Sequence, residues 1–252
     1  MMKKFLFTLA LTLFLLPSTL HAEDLTAQEI VRRSDDLMRG DTNQGLYSMT
    51  ITTPNWQREL KLYVYSVGRD KMFIRIMEPA KEAGIGTLRI KNEMWNYLPN
   101  VEKTIKIPPS MMLQPWMGSE FANDDLVKES SIVNDYTHTI VSEKEVDGRP
   151  LCVIEFIPRP GAAVIWGKIL RWVRKDDFVP LKEKYYNERG KLIKELVFSD
   201  IEQVSDRMIP KTWTMTSMIK ENHITTIKLI DVQFNVPIDE NIFTLTNLTK
   251  VQ

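Results

Sequence analysis

Three Asp-Asp pairs, one cysteine and two of the three histidines are the side chains of this sequence that invite a chemical reading. The pairs are Asp35-Asp36, Asp124-Asp125 and Asp176-Asp177. Two carboxylates can share a proton or hold calcium only when their oxygens converge. Adjacent strand residues face opposite sides, and adjacent helical residues diverge by about 100°. The pairs are therefore expected at solvated turn or cap positions, with Asp124 capping a short helix over Asp125 to Lys128. Cys152 lies in the apolar run RPLCVIEFIP. It is expected to act as a small buried apolar residue, and a lone cysteine closes no internal disulfide. His138 and His223 stand beside threonines in strand-like runs, so both are expected as exposed strand residues. Asn247-Leu248-Thr249 matches a glycosylation tripeptide, a pattern too short to carry weight. The sequence has no glycine-rich phosphate loop, HExxH, paired-cysteine motif or GxSxG. Catalytic residues, a metal and a cofactor are accordingly not expected.

What remains is apolar surface. IPPSMMLQPWMGSEFANDDL, residues 107–126, holds three of the thirteen methionines and three of the thirteen prolines. Met94, Trp95, Tyr97, Met111, Met112, Leu113, Trp116, Met117 and Phe121 fall within residues 94–121. Methionine is unbranched and adapts to varied partners, and proline breaks a sheet ladder. Two readings follow: a plug for the end of a barrel, or an apolar lid or wall over a lipid-sized cavity. On the second reading, Leu62, Val64, Ile74 and Ile76 of the preceding strands join those nine residues as the candidate lipid-binding set.

The elements that must position this set are mostly strands. DLTAQEIVRRSDDLMRG reads as a helix capped by Asp24 or Thr26 and ended by Gly40, with an apolar stripe that must pack on something. After Gly45, short runs rich in β-branched and aromatic residues follow one another. Leu60, Leu62 and Val64 alternate with Lys61, Tyr63 and Tyr65. Met72, Ile74 and Ile76 alternate with Phe73, Arg75 and Met77. Tight turns such as Gly68-Arg69-Asp70 and Asp147-Gly148 permit only antiparallel neighbours. The pattern predicts eleven to thirteen strands, one or two real helices, and a short helical turn over Asp239 to Ile242. Several strands are apolar on both faces, so a strongly curved sheet wrapped around helices or a ligand is expected.

Charge and the N-terminus bear on location. MMKKFLFTLALTLFLLPSTLHAED has two lysines, an apolar run of 12 residues and a small-residue exit at Ala22. That order predicts a cleaved signal peptide over residues 1–22 and a single domain over 23–252. The run is too short to span a bilayer as a helix. Past residue 22, 31 basic side chains face 33 acidic ones. That balance offers no electrostatic footprint for nucleic acid and no polybasic cluster for an anionic membrane.

RIMEPAKEAGIGTLRIKNEMWNYLPNVEKTIKIPPSMMLQPWMGSEFANDDL resembles the outer-membrane lipoprotein-sorting family, the LolA/LolB-like periplasmic carriers. The resemblance rests on Glu78-Pro79, Trp95 to Pro99, Lys103 and the segment from Met117 to Leu126. DGRPLCVIEFIPRP, WGKILRWVRKDDFVPLKEKYY and FNVPIDENIFT extend it over the later strands. It implies a mainly β fold: a strongly curved antiparallel sheet forming an incomplete β-barrel, closed by helices and an irregular lid. It implies binding of acyl chains of lipoproteins or free lipid, by a periplasmic monomer with only transient membrane contact. It further implies an inner-membrane permease of the lipid-exporter type as a partner. An alternative on the same fold is a periplasmic sensing module that signals to a membrane protein. The family's short carrier has an early-strand arginine that ties its lid shut; here Arg58 and Arg75 both remain open for that role.

Overall fold

The computed structural model describes residues 25–128, 132–162 and 164–250; the expected signal peptide lies outside them. Thr26 caps helix α1, Ala27–Arg39, by accepting from the Glu29 N–H through its side chain, and Gly40 at φ 66° ends it. Asp24 is not among the described residues.

Thirteen strands follow. Thr42–Thr52 (β1), Gln57–Val67 (β2), Lys71–Glu78 (β3), Gly86–Ile90 (β4), Glu93–Leu98 (β5) and Lys103–Lys106 (β6) form one meander. A short helix, α2 at Asn123–Lys128, precedes the second meander. That meander comprises Tyr136–Val146 (β7), Arg149–Pro158 (β8), Lys168–Arg174 (β9), Pro180–Tyr186 (β10), Leu192–Val204 (β11), Arg207–Ser217 (β12) and Ile224–Phe234 (β13). All neighbours are antiparallel, as the short turns require. β1 pairs with β13, which joins the meanders into one sheet running from β6 to β7. The sheet is not closed: β6 and β7 are its edges. Residues 107–135 carry the chain from one edge to the other.

The two-faced strands are explained by two covers. On the inner face, Leu62 and Val64 stand opposite Ile76 and Ile74, and Met49, Ile51 and Leu60 complete a core with Ile107 and Trp116. On the outer face, Tyr65, Phe73, Leu88 and Trp95 form a row across four strands. A 3₁₀ turn at Glu240–Phe243, capped by Asp239, and helix α3, Leu245–Leu248, supply Phe243 and Leu248 against that row. Gly86 makes the approach possible, because a Cβ there would lie 2.7 Å from Leu248 Cδ1. Arg75, on the outer face, donates to the carbonyls of Asn247 and Leu248 at 3.0 Å each.

Helix α1 packs on the second meander. Ile30 and Val31 are fully buried against Tyr136, Ile154, Phe156 and Ile169. Each such side chain contributes about 1.5–3 kcal/mol of burial. Cys152 lies in the same cluster, fully buried, with its thiol 3.6 Å from the Val173 carbonyl. Burial pushes that thiol up to about 11, which suppresses the reactive thiolate.

The acidic pairs are not uniformly solvated. Asp35 and Asp124 are buried. Asp35 faces Arg69 at 2.5 Å and Arg39 at 3.3 Å, so cationic partners offset the desolvation that spacing alone could not foresee. α2 starts at Asn123, two residues earlier than expected, and Asp125 rather than Asp124 accepts from the Ala122 N–H at 2.7 Å. Asp176 and Asp177 do sit at a turn, paired with Arg149. His138 is half-buried rather than exposed: its Nε2 lies 3.0 Å from the Ile132 carbonyl and its ring meets Phe156 edge-on. Phe156 and the chain at Ile132 cover a residue that the strand pattern alone would leave open.

Candidate binding site

The segment from Ile107 to Leu126 folds on itself and lies across the inner face. Three prolines keep it out of the sheet, so its backbone groups must find partners elsewhere. Trp116 N–H donates to the Phe121 carbonyl at 2.7 Å, and Asn123 N–H to Gln114 at 3.0 Å. Met117 and Gly118 turn the chain between them at φ 52° and 74°. Glu120 N–H then donates to Thr225 Oγ1 on β13 at 2.9 Å. The Trp116 indole is 3% exposed and donates to Thr87 Oγ1 at 3.1 Å; that hydroxyl donates in turn to Asn96 Oδ1 at 2.8 Å. The segment is thus a fastened wall. Arg58 on β2 adds a further tie, donating to the Met117 carbonyl and facing Glu82 at 3.4 Å. Of the two arginines left open above, Arg58 touches this wall; Arg75 holds the C-terminal turn instead.

Between this wall, α1 and the sheet lie two adjoining chambers. The first occupies about 1040 Å³ and the second about 860 Å³, each counting the open space at its mouth. They share Asp35 and Met38 of α1, Leu126 of α2, and Trp213 and Ile227 of the sheet.

The first chamber is bounded by β9–β12. Leu196, Phe198 and Met215 give it an apolar floor. Around that floor runs a charged belt. Arg171 and Glu183 stand directly opposite one another on β9 and β10, 2.6 Å apart and both buried. Burial by itself would lower the Arg171 pKa, but the Glu183 carboxylate outweighs it and the guanidinium is held charged. Tyr185 donates to the same carboxylate. Burial, then Glu183, pushes its phenol well up, keeping it a donor. Lys194 meets Asp125 at 2.5 Å beneath the rings of Trp166 and Tyr185, at 4.7 and 5.0 Å. Burial, helped by Asp124, raises the Tyr136 phenol as well. The second chamber is bounded by β1–β3 and β13, and its sheet wall is mostly aliphatic: Leu62, Val64, Ile74, Leu229 and Met72.

Of the residues singled out from sequence, Leu62, Val64, Ile74 and Trp116 line the second chamber and Phe121 lines the first. Ile76 and Met94 are buried in the core behind it, where Met112 and Met117 also pack. Met111 and Leu113 are exposed, at 43% and 60%. Trp95 and Tyr97 belong to the outer cluster against the C-terminal turn. Strand alternation sends Met94 inward and its two aromatic neighbours outward, which the cluster in sequence conceals. The whole first-chamber wall on β9–β12 lay outside the sequence reading. Its signal, the charged run Lys182-Glu183-Lys184 followed by two tyrosines in VPLKEKYY, looks like an ordinary solvated strand. Among the described residues no group of three or more His, Cys, Asp or Glu side chains is placed to hold a metal. Among them also, no helix is long and apolar enough to cross a membrane.

A family model described only as an uncharacterized protein matches residues 68–250. No match occurs among curated proteins. Solved structures share the fold. A DUF1329 family protein from Desulfovibrio piger superposes with a TM-score of 0.81 at 22% identity, over 88% of this chain and 97% of that one. An outer membrane lipoprotein-sorting protein domain from Vibrio parahaemolyticus gives 0.78 at 23% identity, over 89% and 98%. A LolA superfamily protein from Nitrosomonas europaea gives 0.74 at 23% identity, over 88% and 99%.

Proposed function

We propose that this chain, a member of the family whose model spans residues 68–250 and LolA-like in fold, is a periplasmic carrier that binds acyl chains in its paired chambers. The observation that carries the reading is the unfilled apolar space between sheet, α1 and wall. Leaving one acyl CH₂ in water costs about 0.8 kcal/mol, so a palmitoyl chain costs on the order of 12 kcal/mol. Two adjoining apolar chambers offset such a cost; a filled interior could not. The reading extends to transport toward the outer membrane, with an inner-membrane lipid-exporting permease as the partner, and to a single domain over residues 23–252 released from its signal peptide. Binding, rather than turnover, is the role that this geometry supports. The one cysteine is buried and its thiol is raised, and three of the four chamber carboxylates, Glu183, Asp125 and Asp35, are taken up by cations.

Protein purified gently from periplasm is expected to carry extractable acyl lipid, detected by native mass spectrometry and lipid extraction. An empty protein that also fails to bind a fluorescent fatty acid would end the carrier reading.

A further inference from the structure

The strands of the sheet end differently at their two ends. At one end, hairpins that are consecutive in sheet order hold large apolar side chains in solvent. These are Val101 between β5 and β6, Met77 at the bulged end of β3, Trp56 between β1 and β2, and Met218 and Ile219 between β12 and β13. They are 45% to 57% exposed. The registers Thr52 to Gln57, Thr52 to Ile224 and Thr216 to Ile224 set the Trp56 and Met218-Ile219 turns side by side. At the other end the same strands close with polar turns, Gly68-Arg69-Asp70, Lys91-Asn92 and Ser205-Asp206. With neighbouring strands about 4.8 Å apart, the four hairpins spread their apolar tips over an arc of roughly 30 Å. Charges at these turns come in opposite pairs. Glu78 faces Lys61 at 2.9 Å and Glu82 faces Arg58 at 3.4 Å, while Glu102-Lys103 and Lys220-Glu221 are neighbours in sequence; Lys81 is left over. The wall reaches the same end, because Arg58, two residues past Trp56, donates to the Met117 carbonyl.

We propose that this end docks the protein on the surface of a phospholipid bilayer, with Trp56, Met218 and Ile219 entering the boundary between headgroups and acyl chains. Scattered single apolar residues on a surface need no explanation, but their concentration at one end of a sheet marks a contact surface. The pattern selects a membrane over a protein. A protein partner covers a contiguous apolar core. Here the tips stand on separate hairpins with paired charges between them, and a fluid layer admits each tip independently. Tryptophan favours that boundary, where its ring is apolar and its N–H stays wet. The paired charges match a zwitterionic headgroup layer and give anionic lipid little hold, so apolar burial carries the attachment. Docked this way, the protein sets its wall at the lipid surface. The inference rests on the carrier reading for its purpose, and on the exposed tips for its physics.

The test is vesicle flotation of the full chain lacking its signal peptide. The vesicles are dioleoyl phosphatidylcholine, alone and mixed with dioleoyl phosphatidylglycerol, at low and high salt. An environment-sensitive thiol dye on Asn55→Cys reports the apolar end, and on Asn92→Cys the polar end; Cys152 is fully buried and stays unlabelled. The chain is expected to float with phosphatidylcholine, with the Asn55 dye moving into an apolar setting and the Asn92 dye remaining in water. Trp56→Ser should weaken binding about tenfold, and Met218→Ser with Ile219→Ser, which leaves the Arg58 tie untouched, by a similar factor. Val146→Ser with Met208→Ser, toward the other end, should change nothing. Salt or anionic lipid should shift binding by less than about threefold. Absence of flotation, docking variants that bind like the parent, or binding confined to anionic lipid at low salt would each overturn the docking. So would an Asn55 dye that stays in water on vesicles, which would leave this end to a protein partner. None of the substituted residues lines either chamber, so every variant should bind a fluorescent fatty acid as the parent does. Failure of the parent to bind that fatty acid counts against the carrier reading alone; failure to float counts against the docking alone.

Discussion

The two chambers are built by opposite means from one continuous sheet. The wall of the first, on β9–β11, is fixed by buried charges: Arg171 with Glu183, and Lys194 with Asp125. The wall of the second, on β1–β3, is mostly aliphatic, with Asn43, Tyr47 and Ser66 as its polar or aromatic members. A charged wall is stiff, because each buried charge is costly without its one partner. An aliphatic wall holds shape only by packing, and an empty chamber withholds packing atoms on one side. The first chamber is therefore expected to keep its shape when empty, and the second to adapt to what it holds.

Four substitutions or conditions probe that contrast. Glu183→Ala should have the largest effect, about 3–5 kcal/mol in urea unfolding, because it strands the Arg171 guanidinium in the interior. Joining it with Arg171→Met should recover most of the loss. A cost below about 1 kcal/mol would mean that water reaches the belt and that the first chamber is not charge-fixed. Leu62→Ala in the second wall should cost less, about 2–3 kcal/mol, at the low end for leucine because Leu62 already borders open space. A loss as large as that for Glu183→Ala would erase the proposed difference between the walls. Trp116→Phe removes the indole bond to Thr87. It should cost about 1 kcal/mol and speed amide exchange at Glu120 and Asn123. An unchanged exchange pattern would mean that the wall is held by its backbone bonds alone.

The smallest effect concerns pH. Burial, with Arg171 and Arg159 assisting against the Ile132 carbonyl, lowers the His138 pKa. The unfolded chain then takes up the proton first. The contribution of neutral His138 to stability is thus present above the unfolded value near 6.5. It is lost as pH falls through the folded value. The thermal midpoint of the parent should fall further between about pH 7.5 and about pH 5 than that of His138→Gln. Equal falls would place His138 in a solvated setting.

Much of the fold was legible because the signals are local. Alternation in β2 and β3, the turns at Gly68-Arg69-Asp70 and Asp147-Gly148, and the Thr26 to Gly40 limits of α1 all act within a few residues. The site was legible only in part. Leu62, Val64 and Ile74 were found from alternation and Trp116 from composition. Trp95 and Tyr97 were drawn in with them because clustering in sequence does not specify a face. Glu183, Arg171 and Lys194 were missed because a buried ion pair and a solvated one use the same residue types.

The sequence by itself determined a helix-led antiparallel meander, an irregular proline-bound segment within it, and the lack of any recognised catalytic motif. Those properties follow from backbone sterics and periodicity, which each short stretch carries alone. Only the tertiary structure decided that β1 pairs with β13, that the C-terminal turn covers the outer face, and that α1 and the wall leave two chambers open. It also decided which acids are buried beside cations. These depend on residues up to about two hundred positions apart, such as Asn43 and Phe234. Contacts at that range are set by how whole faces pack, which no single stretch of the chain encodes.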